Sequence, residues 1–421
     1  MTKTGRMSAD AAIGAVKSGD VVVAPLSPGG TDQLLQALCA RMDELADITL
    51  VGGDLEGAYS CLGSIPEKAR GRLKLRILAG SRPRSAMPSV EWAPLPFFEI
   101  ARLFIERVWK VDVCLLPLTP PDDEGQHRIS PTLAWLADAA GVARTVIAEV
   151  NPGLPVMKGD NGVQPSRLDA WVESGAPAPS WQYPPIQGVH RAIARNVAEL
   201  IPDGACLQLG IGTMIEAVLA ELAAHKNLGL HTGTVPDGII PLVKSGVLNN
   251  ARNPSSKGVI ATTSVRGSQY LYDFVNRNPD VQLRGPNYVH NAQVISQIPD
   301  FVAINSALSV DLYGQVTAET IDGKMRSSGA GQMDFMRAAR LAPGGRTIIM
   351  LPATGREGES RIVARLAAGD LVTTHRADVD YVVTEYGVAT LRGATLGNRA
   401  LRLASIAHPT HRDRLLAGLP S

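Results

Sequence analysis

The chain has almost no net charge: 41 Lys and Arg stand against 40 Asp and Glu, which leaves +1 over 421 residues. No field of that size draws nucleic acid or an anionic membrane surface, so neither is expected as a partner. Cysteine is also scarce. Cys39, Cys61, Cys114 and Cys206 are scattered, form no C-x-x-C pair and match no metal-ligand spacing, and three of them lie in apolar runs that read as core. A reduced, cytoplasmic setting without a metal centre follows as an expectation. No window approaches the roughly 20 apolar residues of a membrane span, and Met1-Thr-Lys-Thr-Gly-Arg6 leads into no apolar signal core. What is present is 45% hydrophobic content over a length that suits about two to three domains, the composition of a soluble multidomain enzyme.

The two halves repeat one another. Ser18-Gly-Asp-Val-Val-Val-Ala-Pro-Leu26, then Gly29-Gly30, a helical run to about Leu45, and Ile48-Thr-Leu-Val-Gly-Gly53 form one unit. Pro202-Asp-Gly-Ala-Cys-Leu-Gln-Leu-Gly210, then Gly212, a helical run to Ala224, and Leu228-Gly-Leu-His-Thr-Gly233 form its counterpart. Each reads strand, glycine turn, amphipathic helix, strand, the grammar of a parallel sheet. Downstream, Asp123-Glu-Gly-Gln126 pairs with Leu312-Tyr-Gly-Gln315, and Arg144-Thr-Val-Ile147 with Arg346-Thr-Ile-Ile349, in the same order. From Asn151 to Gln187 periodicity disappears and prolines gather at 177, 179, 184 and 185, as in a surface connector. Two related α/β domains are expected, residues 1–187 including the connector and residues 188–421, with a ligand cleft between them at the carboxyl ends of the strands.

Leu207-Gln-Leu-Gly-Ile-Gly-Thr-Met-Ile-Glu216 puts Gly210 and Gly212 on a strand-to-helix turn, where backbone N–H groups can meet an anionic group. A dinucleotide fold would need a third glycine and an acid ending the next strand; Thr213, Met214 and Ile215 follow instead, and that strand runs into His231 and Thr232. Glycines that merely let helix and sheet pack closely are the plain alternative. Further on, Asn305-Ser306, Asp311-Leu-Tyr-Gly-Gln315, Thr317-Ala-Glu319, the small-residue loop Ser328-Gly-Ala-Gly-Gln-Met-Asp-Phe335 and Tyr381-Val-Val-Thr-Glu-Tyr-Gly387 supply amides and carboxylates. They contain no metal cluster and no Ser/His/Asp arrangement.

Together, Leu207-Gln-Leu-Gly-Ile-Gly212, His231-Thr232, Asp237-Gly238, Ala303-Ile-Asn-Ser306, Asp311-Leu-Tyr-Gly-Gln315, Gln332-Met-Asp-Phe335, Tyr381-Val-Val-Thr-Glu-Tyr-Gly387 and Ala407-His-Pro409 resemble the acetyl-CoA hydrolase and CoA-transferase family. The likeness is dense from about Ala205 to the C-terminus and looser before it, where Ile147-Ala-Glu-Val-Asn-Pro152 carries it. It implies two related open α/β domains of the CoA-transferase type, a coenzyme A thioester as substrate, and a glutamate that attacks the acyl thioester and then carries CoA. That glutamate follows the His-Thr pair in the family. Here Gly233 stands in its place, and the unchanged spacing to Asp237-Gly238 recovers no shifted carboxylate. Two further departures accompany it: the family's G-x-G-G oxyanion loop reads Ser328-Gly-Ala-Gly331, and His290 stands where asparagine is commoner.

The resemblance therefore implies an acyl-CoA-processing enzyme that works without a glutamyl intermediate, passing the acyl group to water or to a non-carboxylate small-molecule acceptor. His290 is the candidate general base, His231 orients the loop, and Thr232 and Thr234 flank the vacated Gly233. Gly329, Ala330, Gly331, Gln332, Gly210 and Gly212 are the candidate oxyanion and CoA-binding positions. Glu319 and Glu385 are the carboxylates expected to face the cleft. Each names a rival, an orthodox CoA-transferase using one of them as nucleophile; a non-catalytic CoA-thioester binder is the other. A homo-oligomer is expected from the protein's size and class.

Overall fold

The computed structural model describes residues 5–26, 30–53, 60–80, 89–329 and 331–417. The chain divides into two compact units: Met1–Trp181 with Thr262–Tyr288, and Gln182–Ala261 with Val289–Ser421. The first passage between them thus falls inside the proline-rich connector, and the chain later returns to the first unit for one short segment, which no composition change marks.

In the first unit, β-branched runs form a seven-stranded sheet. Its members are β1 (Val21–Val23), β2 (Ile48–Gly52), β3 (Leu73–Ile77), β4 (Val90–Trp92), β5 (Val113–Leu118), β6 (Thr145–Val150) and β7 (Ala170–Glu173), in the order β7-β6-β5-β1-β2-β3-β4. Every pairing is parallel. All six residues of β5 are buried, which is why that strand reads as one apolar run rather than as an alternation. Helix α1 (Asp32–Ala40) follows β1 and lays Leu34, Leu35 and Leu38 into a core with Val22, Leu50, Leu75 and Leu115.

The second unit uses the same plan. Strands β8 (Cys206–Leu209), β9 (Gly229–Val235), β10 (Phe301–Ser306), β11 (Arg346–Met350), β12 (Tyr381–Thr384) and β13 (Gly387–Thr390) run in the order β13-β12-β11-β10-β8-β9. Helix α2 (Thr213–Glu221) joins β8 to β9, and only the closing β12–β13 hairpin among these pairings is antiparallel. Corresponding strands take corresponding places, β7-β6-β5-β1-β2 in one unit and β12-β11-β10-β8-β9 in the other, so the repeat seen in the sequence is a repeat of fold.

Shared turns carry the duplication to the level of single hydrogen bonds. Asp122 Oδ1 accepts the N–H groups of Glu124 and Gln126 at 3.0 and 3.1 Å. Asp311 Oδ1 accepts those of Tyr313 and Gln315 at 3.0 and 2.9 Å. In both turns the glycine donates its N–H to the aspartate carbonyl at 2.8 Å and adopts positive φ, +71° at Gly125 and +88° at Gly314, a conformation that costs glycine little. Likewise Asp169 accepts the N–H of Val146 at 2.8 Å and Asp380 that of Thr347 at 3.1 Å, each carboxylate pinning the start of a strand.

The two units differ where each first helix begins. Glu149, buried at the end of β6, accepts the N–H groups of Gln33 and Leu34 at 3.0 and 3.4 Å and so fills the start of α1 with a carboxylate of the unit's own. Burial pushes its pKa upward. Helix α2 instead opens on Gly212 at φ +114°, with no side-chain cap.

Asp311 is buried and also accepts Gln315 Nε2 at 2.7 Å. Asp311→Ala is expected to lower stability by about 2–3 kcal/mol, because three donors lose their partner, as read from chemical denaturation. Removing the exposed Arg102–Glu106 pair should leave the midpoint almost unmoved.

Candidate functional site

Side chains alternate across a strand, so His231 and Gly233 of β9 share one face while Thr232 and Thr234 share the other. Thr232 is fully buried; its Oγ1 donates to the carbonyl of Leu209 at 3.0 Å and accepts that residue's N–H at 3.2 Å. That hydroxyl ties β9 to β8 beyond the last paired residues, Leu207 and Leu230, so the structure gives Thr232 a structural position rather than a place beside Gly233. Thr234 is half-buried.

On the other face, the fully buried His231 donates Nε2–H to the carbonyl of Val289 at 2.8 Å. Burial pushes its pKa down to about 4, against the raising effect of that carbonyl and with a smaller lowering from His290, so it is neutral near pH 7. By holding Val289 it fixes the backbone that carries His290. The imidazole of His290 packs against Phe335 with ring centroids 4.5 Å apart and the planes tilted by 47°. A Cβ built on Gly233 would lie 3.3 Å from His290 Nε2, 3.4 Å from its Cε1 and 3.6 Å from Phe335 Cε2. On the opposite side, a Cβ on Gly331 would lie 2.7 Å from His290 Nδ1 and overlap its Cε1. Asp334 Oδ2 stands 3.4 Å from the same Nδ1, with side-chain exposures of 4% for His290 and 2% for Asp334.

The imidazole therefore lies close beside Gly233, and a Cβ there would require the ring to give by a few tenths of an ångström.

The other expected positions fall elsewhere in the second unit. Glu319 Oε2 accepts the hydroxyl of Thr373 at 2.8 Å, and a Cβ on Gly329 would stand 3.2 Å from Glu319 Cδ. Glu319 thus backs the first part of the 328–331 loop while His290 meets its end. Ala330 lies outside the described residues. Gln332 Nε2 donates to Thr374 Oγ1 at 3.1 Å. Glu385 Oε2 accepts the N–H of Ala353 at 2.9 Å. The Gly210 N–H donates to the Ile304 carbonyl at 2.9 Å, and Gly212 has nothing within 4 Å of where a Cβ would stand. Among the described residues, no group of three or more His, Cys, Asp and Glu side chains could hold a metal ion.

Two residues emerge that sequence reasoning had passed over. Asp334 lies in the first turn of α3 (Gln332–Leu341), inside the quoted Gln332-Met-Asp-Phe335 string. Glu216, in the first turn of α2, lies against Asp237 and Gly238, and a Cβ on Gly238 would strike its Oε2. Its pKa is pushed up to about 7 by burial first and then by the charge of Asp237, against the opposing pull of the Gly238 and Asp237 amides. The Asp237-Gly238 pair of the sequence is thereby explained: the glycine makes room for a carboxyl group.

The parallel sheets of the two units define an α/β protein. The family model for the Acetyl-CoA hydrolase/transferase C-terminal domain matches residues 267–419. The 4-hydroxybutyrate coenzyme A transferase of Clostridium kluyveri is 44% identical over 343 residues, 81% of this chain and 80% of that protein. The succinyl-CoA:cyclohexane-1-carboxylate CoA transferase of Geobacter metallireducens is 36% identical over 404 residues, 95% and 91% of the two chains. The solved structure of RipA from Yersinia pestis matches with a TM-score of 0.88 at 28% identity, covering 99% of this chain and 96% of that one. The chain belongs to the acetyl-CoA hydrolase/transferase family and is an enzyme of acyl-CoA chemistry. No helix among the described residues is long and apolar enough to cross a membrane.

Because the folded protein holds a proton on Glu216 that the unfolded chain has released, stability is present at low pH and falls as pH rises from about 4.5 to about 7. Glu216→Gln removes that slope. Its melting temperature should gain on the wild type between pH 5 and pH 8, measured by calorimetry; parallel curves would contradict the assignment.

Proposed function

We propose that the protein transfers the acyl group of a CoA thioester directly to water or to a non-carboxylate acceptor, with His290 as general base and no glutamyl intermediate. The observation that carries this reading is the imidazole packed against the side-chain-free Cα of Gly233. Gly233 stands where the resembling enzymes carry the attacking glutamate, His290 Nε2 is the atom nearest to where a side chain would begin, and a residue with no side chain forms no anhydride. Glu319 accepts from Thr373 and Glu385 from a backbone amide, and neither is among the three atoms nearest to a Cβ built on Gly233.

The reaction balances without a redox partner. His290 takes the acceptor's proton as the acceptor oxygen bonds to the thioester carbonyl carbon. The tetrahedral intermediate collapses with cleavage of the C–S bond, and the imidazolium returns the proton to the departing CoA sulfur. Backbone N–H groups of the 328–331 loop are the candidate donors to the transient oxyanion.

His290→Asn is expected to lower kcat/KM for CoA release by about 10²–10⁴-fold, measured as thiol release over a panel of acyl-CoAs with water or alcohols as acceptor; unchanged turnover would overturn the base assignment. Gly233→Glu alone should slow that reaction, since its Cβ crowds the ring at 3.3–3.4 Å. The double variant Gly233→Glu, His290→Asn should exceed the single Glu variant in transfer of CoA to carboxylates. Efficient CoA transfer to carboxylates by the wild type would sink the proposal.

A further inference from the structure

Which nitrogen of His290 carries the proton decides whether it is a base at all toward the space beside Gly233. The two nitrogens face different surroundings. Nε2 is the atom nearest to where a side chain of residue 233 would begin, at 3.3 Å, whereas Nδ1 stands 3.4 Å from Asp334 Oδ2. With both side chains buried, a carboxylate facing the lone pair of Nδ1 would be strongly disfavoured, and a carboxylate facing Nδ1–H is stabilised.

Asp334 lies in the first turn of α3, where the helix dipole favours a negative charge. The next residue, Phe335, supplies the ring on which the imidazole rests. Two consecutive residues of one helix therefore flank His290, Asp334 at 3.4 Å from Nδ1 and Phe335 against its ring, and Gly331 clears the room the ring needs. Asp334 from the helix and His231 from β9 are two titratable groups near the imidazole, and the latter is neutral near pH 7 because burial holds its pKa at about 4. His231 therefore adds no positive charge beside a ring that must accept a proton.

We propose that Asp334 is a positioning residue that holds His290 in the Nδ1–H tautomer and leaves the Nε2 lone pair directed to the space beside Gly233. This rests on the direct-transfer reading for its catalytic consequence, but the tautomer itself does not depend on turnover. Asp334 touches no substrate in this role; it acts through His290.

The test uses full-length protein labelled with ¹⁵N in histidine, with His290 assigned by its loss in His290→Asn. Wild type should show a protonated Nδ1 and an unprotonated Nε2 near pH 7, and Asp334→Asn should lose that preference. In the same variant kcat should fall by about 10²–10⁴-fold with KM nearly constant, and Asp334→Glu should recover part of the loss and of the tautomer. A wild-type Nε2–H tautomer, or an Asp334→Asn protein with unchanged spectrum and kcat, overturns the proposal. A tautomer lost in Asp334→Asn by a protein that turns over no CoA thioester would support the pairing and count against the reaction instead.

Discussion

The contact between His290 and the bare Cα of Gly233 is the constraint on which the rest of the site depends. A Cβ at 3.3 Å from Nε2 is too close to be accepted without movement of the ring, and the ring is held by Asp334, Phe335 and the glycine at 331. The two departures from the family's pattern, at residues 233 and 290, therefore meet at one place beside β9.

The duplicated fold explains where such a change can be absorbed. Both units build parallel sheets from the same strand order, and both close their turns on an aspartate, Asp122 or Asp311, that collects two backbone N–H groups. These ties fix the framework independently of the site. The units then diverge at strand ends. Glu149 fills the start of α1 from within the first unit, whereas α2 opens on Gly212 and carries Glu216 against the turn at Asp237-Gly238. Variation at the carboxyl ends of strands over a constant sheet is the usual way an α/β scaffold changes its chemistry.

Most of the framework was legible in the sequence because its signals are local. Apolar runs such as Val113–Leu118 and glycine turns such as Gly210-Ile-Gly212 report burial and backbone conformation within a few residues, and two copies of the pattern reinforce each other. Gly233 and His290 were also legible, as departures from a resembling family. Their contact was not, because it joins a strand to a segment far along the chain, and no periodicity encodes which ring a glycine faces. Asp334 looked like an ordinary acid at a helix start, and Glu216 like an ordinary polar residue in an amphipathic helix; each becomes distinctive only through a neighbour distant in sequence. Thr232 is similar: its neighbour in the chain is Gly233, yet its hydroxyl is tied to Leu209 on the opposite face of the strand.

The central claim is that no covalent enzyme–CoA species forms. Intact-protein mass spectrometry of wild-type enzyme, acid-quenched during turnover of an acyl-CoA, tests it most directly. The predicted result is the unmodified chain mass at every time point while free CoA accumulates. A population heavier by one CoA, mapped to Glu319, Glu385 or any other carboxylate, would contradict it.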